Sequence, residues 1–341
     1  MGTGTLDVGK LPMGLLKDLL ERYGGTDERL VVGPRIGEDA AVLDLGSRYL
    51  VLKSDPVTFA TEDIGWYVVQ VNANDIAAMG ATPQWLLLTL LLPEKRTDRA
   101  LVETIFSQAS AACQELGIVL CGGHTEITYG LDRPIAVGML VGEVDKDDLV
   151  CTAGAQVGDD LLLTKGIAIE GTAILAKELG DQLLGKLDPQ VIACARQLLK
   201  EPGISVLRDA QTIRAAGRVH AMHDPTEGGL ATGLWELAQA SEKGLLVDLA
   251  KIPLLPETVV FCEELGLDPL GLIASGALLA SVAPQDSGRM LSALEEKGIG
   301  ASIIGQVVGG PADVMVTEAD VSSRLPTFSR DELARVLEER V

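Results

Sequence analysis

A two-domain α/β (α+β) fold is predicted by three observations. The 341 residues exceed what one core of ordinary size holds. Short apolar runs of strand character alternate with helical stretches along nearly the whole chain. A charged stretch, Asp145 to Asp148, followed by the glycine-containing TAGAQVGDD, interrupts that alternation near the middle. The boundary is therefore placed within 145–155. The expected division is a segment 1–36, a first domain 37–150, a second domain 151–310, and a tail with a helix at 311–341.

The elements follow in order. LPMGLLKDLLERYG is one helical stretch in an otherwise polar, glycine-containing lead. AAVLDL (40–45) and YLVLKSD (49–55) read as two strands joined at Gly46-Ser47. Residues 62–80 have a helical pattern, 84–92 a strand pattern and 98–116 a second helix. A buried strand at 117–121 and another at 134–144 complete the first half. In the second half, helices are expected near 171–180, over 188–215 with a break at Pro202-Gly203, and near 229–242, 256–265 and 285–297. Strands are expected near 244–249, 276–282 and 301–308. SRDELARVLEERV reads as a capped, exposed helix with Leu333, Val336 and Leu337 on one face.

Charge and cysteine content exclude some functions. Asp and Glu total 49 against 28 Lys and Arg, a formal net charge of −21, and no basic run relieves it. Such a surface repels phosphate backbones, so neither nucleic acid nor an anionic membrane is an expected partner. A small anionic substrate remains compatible, because a divalent cation reverses the sign of a pocket locally. Five cysteines, an odd number with no C-x-x-C pair, fit a reducing, cytoplasmic setting without a disulfide framework. The longest dense apolar run, Leu86 to Leu92, is far shorter than the ~20 residues that span a bilayer.

Several segments combine carboxylates and glycines. Gly4 to Lys10 has the skeleton of a phosphate-binding loop, but Leu11 replaces the hydroxyl residue and no strand precedes it. A mobile segment whose Lys10 visits a phosphate is the simpler expectation. In Gly37-Glu38-Asp39-Ala40-Ala41-Val42 two acids precede a strand, either as a solvated turn or as ligands. Asp55 ends a strand before Pro56, again as a turn or as a cleft carboxylate. Asn72, Asn74 and Asp75 interrupt an apolar helix, where short polar side chains compete with the backbone. Asn72 and Asp75 share a face, and a buried carboxylate there requires a partner such as a metal ion, the alternative being an N-cap or a satisfied core hydrogen bond.

Cys121-Gly122-Gly123-His124-Thr125-Glu126 brings His124 and Glu126 to one side of an extended chain, beside glycines that let the backbone approach a phosphate or a metal. Pairing of Cys121 with His124 as a nucleophile stands against a small buried cysteine. His223-Asp224-Pro225-Thr226-Glu227-Gly228-Gly229 opens an apolar helix. Thr226 is its expected cap, and the two glycine amides offer phosphate donors.

Taken in order, GEDAAV, SDPVTF, NANDIAAMGATP, GGHTE and HDPTEGGL resemble the PurM-like ATP-binding superfamily, over about residues 30–308. That superfamily includes aminoimidazole ribonucleotide synthase, thiamine-monophosphate kinase, selenophosphate synthetase and the hydrogenase-maturation protein HypE. GKLP, GGHTE and LRDAQTIRAAGRVHAMHDPTEGGL are most similar to the HypE-like branch. The resemblance implies a mixed N-terminal sheet used for homodimerisation, a C-terminal sheet with packed helices, and ATP with magnesium (Mg2+) bound between domains. It implies metal ligands at Asp39, Asp55, Asp75 and Glu126, and catalytic roles for Asp75 and Asp224. It implies cofactor contacts at Asp55, Asn74, Gly122, Gly123, Thr226, Gly228 and Gly229. His124 departs from the acid usual after the paired glycines.

The expected reaction is ATP-dependent activation of a small substrate by phosphorylation, with other hydrogenase-maturation proteins as partners. A small-molecule kinase and a non-catalytic nucleotide-binding scaffold are the alternatives. The sequence ends at Val341 and its last cysteine is Cys262, so the thiocyanate chemistry of a terminal cysteine is not expected here. Selenophosphate synthesis is not expected either, because residues 1–36 contain no cysteine.

Overall fold

The structure, a computed structural model, describes residues 6, 9–58, 62–319 and 321–338, with side chains to residue 337. Gly4, Thr5, Asp7 and Val8 of the loop-like segment, Phe59 of SDPVTF, and Glu339 to Val341 lie outside the described residues. Two compact units are formed. One is Thr26–Gly33 with Asp39–Leu149, and the other is the rest of the described chain. Residues 34–38 thus belong with the second half, as do the described residues up to Gly25.

The first unit contains β1 (Leu30–Val32), β2 (Ala41–Asp44), β3 (Tyr49–Val57), α2 (Ile64–Ala78), β4 (Thr82–Pro93), α3 (Arg99–Leu116), β5 (Val119–Thr128) and β6 (Ile135–Val144). Its six strands lie in the order β1-β2-β3-β6-β4-β5. Only the β4–β5 pair is parallel, because α3 returns the chain between them. Leu86, Leu88, Leu90 and Leu92 alternate inward under α2, while Trp85 and Leu87 point outward. The apolar run is thus half core and half surface. Helix α2 is almost wholly buried, its polar residues Gln70, Asn72, Asn74 and Asp75 included, and it crosses β3, β6 and β4.

In the second unit α1 (Met13–Tyr23) precedes β7 (Asp160–Thr164), α4 (Ile169–Leu179), α5 (Pro189–Gln197), α6 (Leu207–Ala216), β8 (Val219–His223) and α7 (Gly229–Ser241). Then come β9 (Gly244–Asp248), α8 (Pro256–Leu265), β10 (Leu279–Val282), α9 (Pro284–Glu296), β11 (Ala301–Val308), β12 (Val314–Glu318), β13 (Val321–Arg324) and α10 (Glu332–Glu338). Seven strands form a mixed sheet in the order β13-β12-β9-β11-β7-β10-β8. Its core joins Leu161, Leu163, Leu245, Val247 and Ile304 of the strands to Leu230, Leu234 and Leu237 of α7.

Five strands were not foreseen from sequence: β1, β7, β8, β12 and β13. Each is short, and β13 is exposed throughout, so periodicity carries little signal. Helix α10 departs from the expected exposure. Leu333, Ala334 and Val336 are buried. Among the described residues no helix is long and apolar enough to cross a membrane.

Candidate functional site

In the first unit, three carboxylates converge on one lysine. Asp39 precedes β2, Lys53 and Asp55 alternate on β3 and so share a face, and Asp75 projects from α2. The Lys53 ammonium lies 2.7 Å from Asp75 and 3.4 Å from Asp55. Burial pushes the Asp75 carboxyl up, to about 8, against the pull of Lys53, and the charges of Asp55 and Asp39 add to the rise. Burial also acts to lower the Lys53 ammonium, but Asp75, Asp55 and Asp39 outweigh it and keep the lysine charged. With every group ionised, three negative charges face one positive, and the excess of hard oxygen donors suits a divalent cation.

Asn72 supports the arrangement without joining it. Its Oδ1 accepts the Asp55 N–H at 2.9 Å, and its Nδ2 donates to the carbonyls of Val68 (2.8 Å) and Asp55 (3.3 Å). The polar interruption of an apolar helix is thereby explained: Asn72 satisfies strand β3 and fixes the backbone that carries Asp55. Gly138 on β6 makes room for it, since a Cβ there would stand 2.5 Å from Asn72 Nδ2. Lys53 and Gly138 were both missed as site residues by sequence reasoning. The lysine's alternation with Asp55 was the available signal. Asn74 is fully buried in α2 between Asn72 and Asp75.

Glu126 is not brought to this cluster. GGHTE lies within β5 rather than in a loop, and β5 is an exposed edge strand rather than a buried one. Three strand spacings separate β5 from β3, about 14 Å, too far for one ion to bind Glu126 and Asp55 of the same chain. Glu126 instead pairs with His124 at 3.2 Å. Cys121 donates to the Leu86 carbonyl at 3.3 Å, so no Cys121–His124 dyad forms. Gly122 is exposed, and Gly123 is required by strand pairing, where a Cβ would collide with the Leu88 carbonyl.

The second unit holds the HDPTEGG turn. His223 and Asp224 are buried, and His223 Nε2 lies 2.9 Å from a Glu236 oxygen. Thr226 does not cap α7. Gly228 is the N-cap residue, left-handed at φ +84°, with no side-chain cap. The Gly229 N–H donates to the Thr226 carbonyl at 3.0 Å and the Gly228 N–H to Asp331 at 2.6 Å, so both amides expected to face a phosphate are engaged within the chain. Lys10 is also held: its N–H donates to Glu227 at 3.0 Å and its ammonium lies 3.7 Å from Glu236. Glu38 accepts the N–H groups of Thr152 (3.1 Å) and Ala153 (3.2 Å) and so acts as a structural acid.

Comparison with known proteins follows the same two-part division. Residues 37–144 match the family described as AIR synthase related protein, N-terminal domain, and residues 156–317 match AIR synthase related protein, C-terminal domain. A hydrogenase expression/formation protein of Methanocaldococcus jannaschii is 30% identical over 307 residues, covering 87% of this chain and 88% of that protein. The carbamoyl dehydratase HypE of Cupriavidus necator is 33% identical over 289 residues, covering 80% of this chain and 78% of the relative. The crystal structure of hydrogenase maturation protein HypE in complex with ATP superposes with a TM-score of 0.68 at 23% identity, covering 96% of this chain and 97% of that one. Two consecutive domain matches spanning most of the sequence place the chain in the AIR synthase-related, PurM-like family.

Proposed function

We propose that this protein is an ATP- and magnesium-dependent enzyme that activates an oxygen of a small substrate by phosphorylation, in the manner of the HypE-like branch and in hydrogenase maturation. The observation that carries the reading is the gathering of Asp39, Asp55 and Asp75 around Lys53. Magnesium held by these carboxylates supplies neutralisation of phosphate charge. The chain's own residues do the rest: Asn72 fixes the Asp55 backbone, and Lys53 balances the carboxylates when no divalent cation is present. Within the second unit, the buried Asp224 is the acid assigned to the reaction. Among the residues described at the site none is an evident covalent nucleophile, so catalysis rests on positioning and charge neutralisation. The names of relatives support this reading, since they include a carbamoyl dehydratase and a fold neighbour with bound ATP.

The same reading includes a homodimer. Trp85 and Leu87 of β4, Val119 of β5 and Met139 of β6 are exposed cross-strand neighbours beside the open edge of the sheet, an apolar surface suited to a second copy. The deciding experiment measures ADP formation with magnesium and ATP across a panel of carboxamides, carbamoyl donors and phosphate esters. Acceptor-dependent turnover is expected. Equal slow hydrolysis with every acceptor, and with none, would contradict the enzymatic reading.

A further inference from the structure

Seven residues beyond β13, one carboxylate ties three segments of the second unit together. Asp331 is 5% exposed. Its Oδ1 accepts the N–H groups of Leu333 at 2.8 Å and Ile273 at 3.3 Å, and its Oδ2 accepts the Gly228 N–H at 2.6 Å. The Leu333 bond is an ordinary cap of α10. The other two are not needed by that helix. They reach across to the loop before β10 and to the turn before α7.

The HDPTEGG turn depends on what surrounds it. Gly228 and Gly229 stand at φ +84° and +68°, a left-handed conformation open to glycine without steric cost, so the hydrogen bonds around the turn rather than side-chain sterics set its shape. The Thr226 carbonyl accepts both the Gly229 N–H and the Ala274 N–H, at 3.0 and 3.1 Å, so the turn and the loop 270–275 are already joined. Asp331 closes the arrangement from a third side. The arm that carries it is itself docked. Phe328 lies so close over Gly271 that a Cβ there would stand 2.4 Å from the ring. Arg335 donates to the Gly266 carbonyl at 2.8 Å, and Glu332 accepts the Asp268 N–H at 3.2 Å.

The site carries strain in its charge as well. Burial raises the Asp331 carboxyl to about 6, against the three amide donors that favour its ionised form, and the charge of Glu227 adds to the rise. Glu170, at the start of α4, is a second buried carboxyl beside it. Burial raises Glu170 to about 7, although a bond with Ser275 opposes this, and Asp331 raises it further. A carboxylate kept in such a place exchanges desolvation for three fixed donors, which is reasonable where the geometry of those donors matters.

We propose that Asp331 is a positioning residue for the Asp224–Gly229 turn, holding it in working shape through the Gly228 amide. This rests on the reading of Asp224 as a group of the proposed reaction. Asp331 acts through the turn and contacts no substrate.

The test uses the full chain and three variants. Asp331→Ser keeps an oxygen able to cap Leu333 but has no second oxygen for Gly228. Asp331→Asn keeps the size and replaces one acceptor by a donor. Leu333→Ala loosens the packing of the arm and leaves the carboxylate. Melting temperature, hydrogen exchange of Gly228 in peptides spanning 224–233, and magnesium-ATP turnover are measured for each. In both Asp331 variants Gly228 is expected to exchange at least about tenfold faster, and kcat to fall about tenfold with KM for the nucleotide nearly unchanged. Leu333→Ala is expected to lower the melting temperature and to leave kcat near wild type. If Asp331→Ser does not fold, Asp331→Asn carries the comparison. Unchanged Gly228 exchange in the folded variants overturns the proposal, as does an equal loss of kcat in Leu333→Ala. Wild-type protein without any turnover would count against the proposed function instead, and the exchange of Gly228 would still decide whether Asp331 holds the turn.

Discussion

The Lys53 ammonium and the Asp75 carboxylate lie 2.7 Å apart, with side chains 20% and 7% exposed, on a strand and a helix of the same unit. The pair is only part of a charge set that includes Asp55 and Asp39. On the proposed reading, lysine and a divalent cation would serve the same carboxylates, and this overlap governs how the site should respond to substitution.

Replacing Lys53 by Met should leave three carboxylates facing one another. The loss is about 3 kcal/mol of stability in EDTA, the usual scale for removing one partner of a buried pair. Millimolar magnesium should restore much of it by taking over the carboxylates. Thermal melts with and without magnesium check this. A variant whose melting temperature ignores magnesium would mean that the cluster binds no cation.

Asp75→Asn should weaken magnesium-ATP binding by at least about tenfold, because a ligand charge is lost while the shape is kept. Folding should suffer less, since Lys53 retains Asp55. Calorimetry and melting curves separate the two effects. Unchanged affinity with a large drop in melting temperature would make Asp75 structural.

Wild-type protein should bind ATP only with a divalent cation present. The chain carries a formal charge of −21, and the three aspartates add a local excess of negative charge. Titration of ATP in EDTA should give little heat. Equal affinity in EDTA and in magnesium contradicts the metal-bridged reading.

Glu170 makes stability fall as pH rises. Burial raises its folded value from 4.5 to about 7, so between these pH values the folded chain holds a proton that the unfolded chain has released. The folded state binds more protons across that window, and stability declines through it before levelling above pH 7. Glu170→Gln should remove this slope, gaining on the order of 1–3 kcal/mol relative to wild type at pH 8 and little near pH 4.5. Denaturant unfolding at several pH values gives the result, and parallel stability curves for the two proteins would refute it.

Leu87→Asp should yield a monomer at micromolar concentration if the exposed face of β4, β5 and β6 is the dimer contact. A charge in an apolar interface is costly to bury. Sedimentation of wild type and variant decides it, and a wild-type monomer would end the homodimer reading.

Most elements and the order of the motifs were legible along the chain without any tertiary contact. Periodicity placed α2, β4 and α3 because long elements repeat their apolar spacing many times. It also identified Asp39, Asp55 and Asp75 as acids in unusual settings. Composition and spacing did not reveal Lys53, because a lysine on a strand looks the same in sequence whether solvated or surrounded by carboxylates. Gly138 was invisible for a similar reason: its need for close approach exists only once α2 lies across β6. The strand was expected to end at 121, before GGHTE, whereas β5 runs on to Thr128 and its pairing with β4 demands a residue without a side chain at Gly123. Asp331 lies 107 residues from Asp224, in a tail whose local pattern shows only a helix cap. Tertiary structure alone decided that the same carboxylate also meets Gly228, since hydrogen bonds between distant segments depend on the path of the whole chain and leave no local period to read.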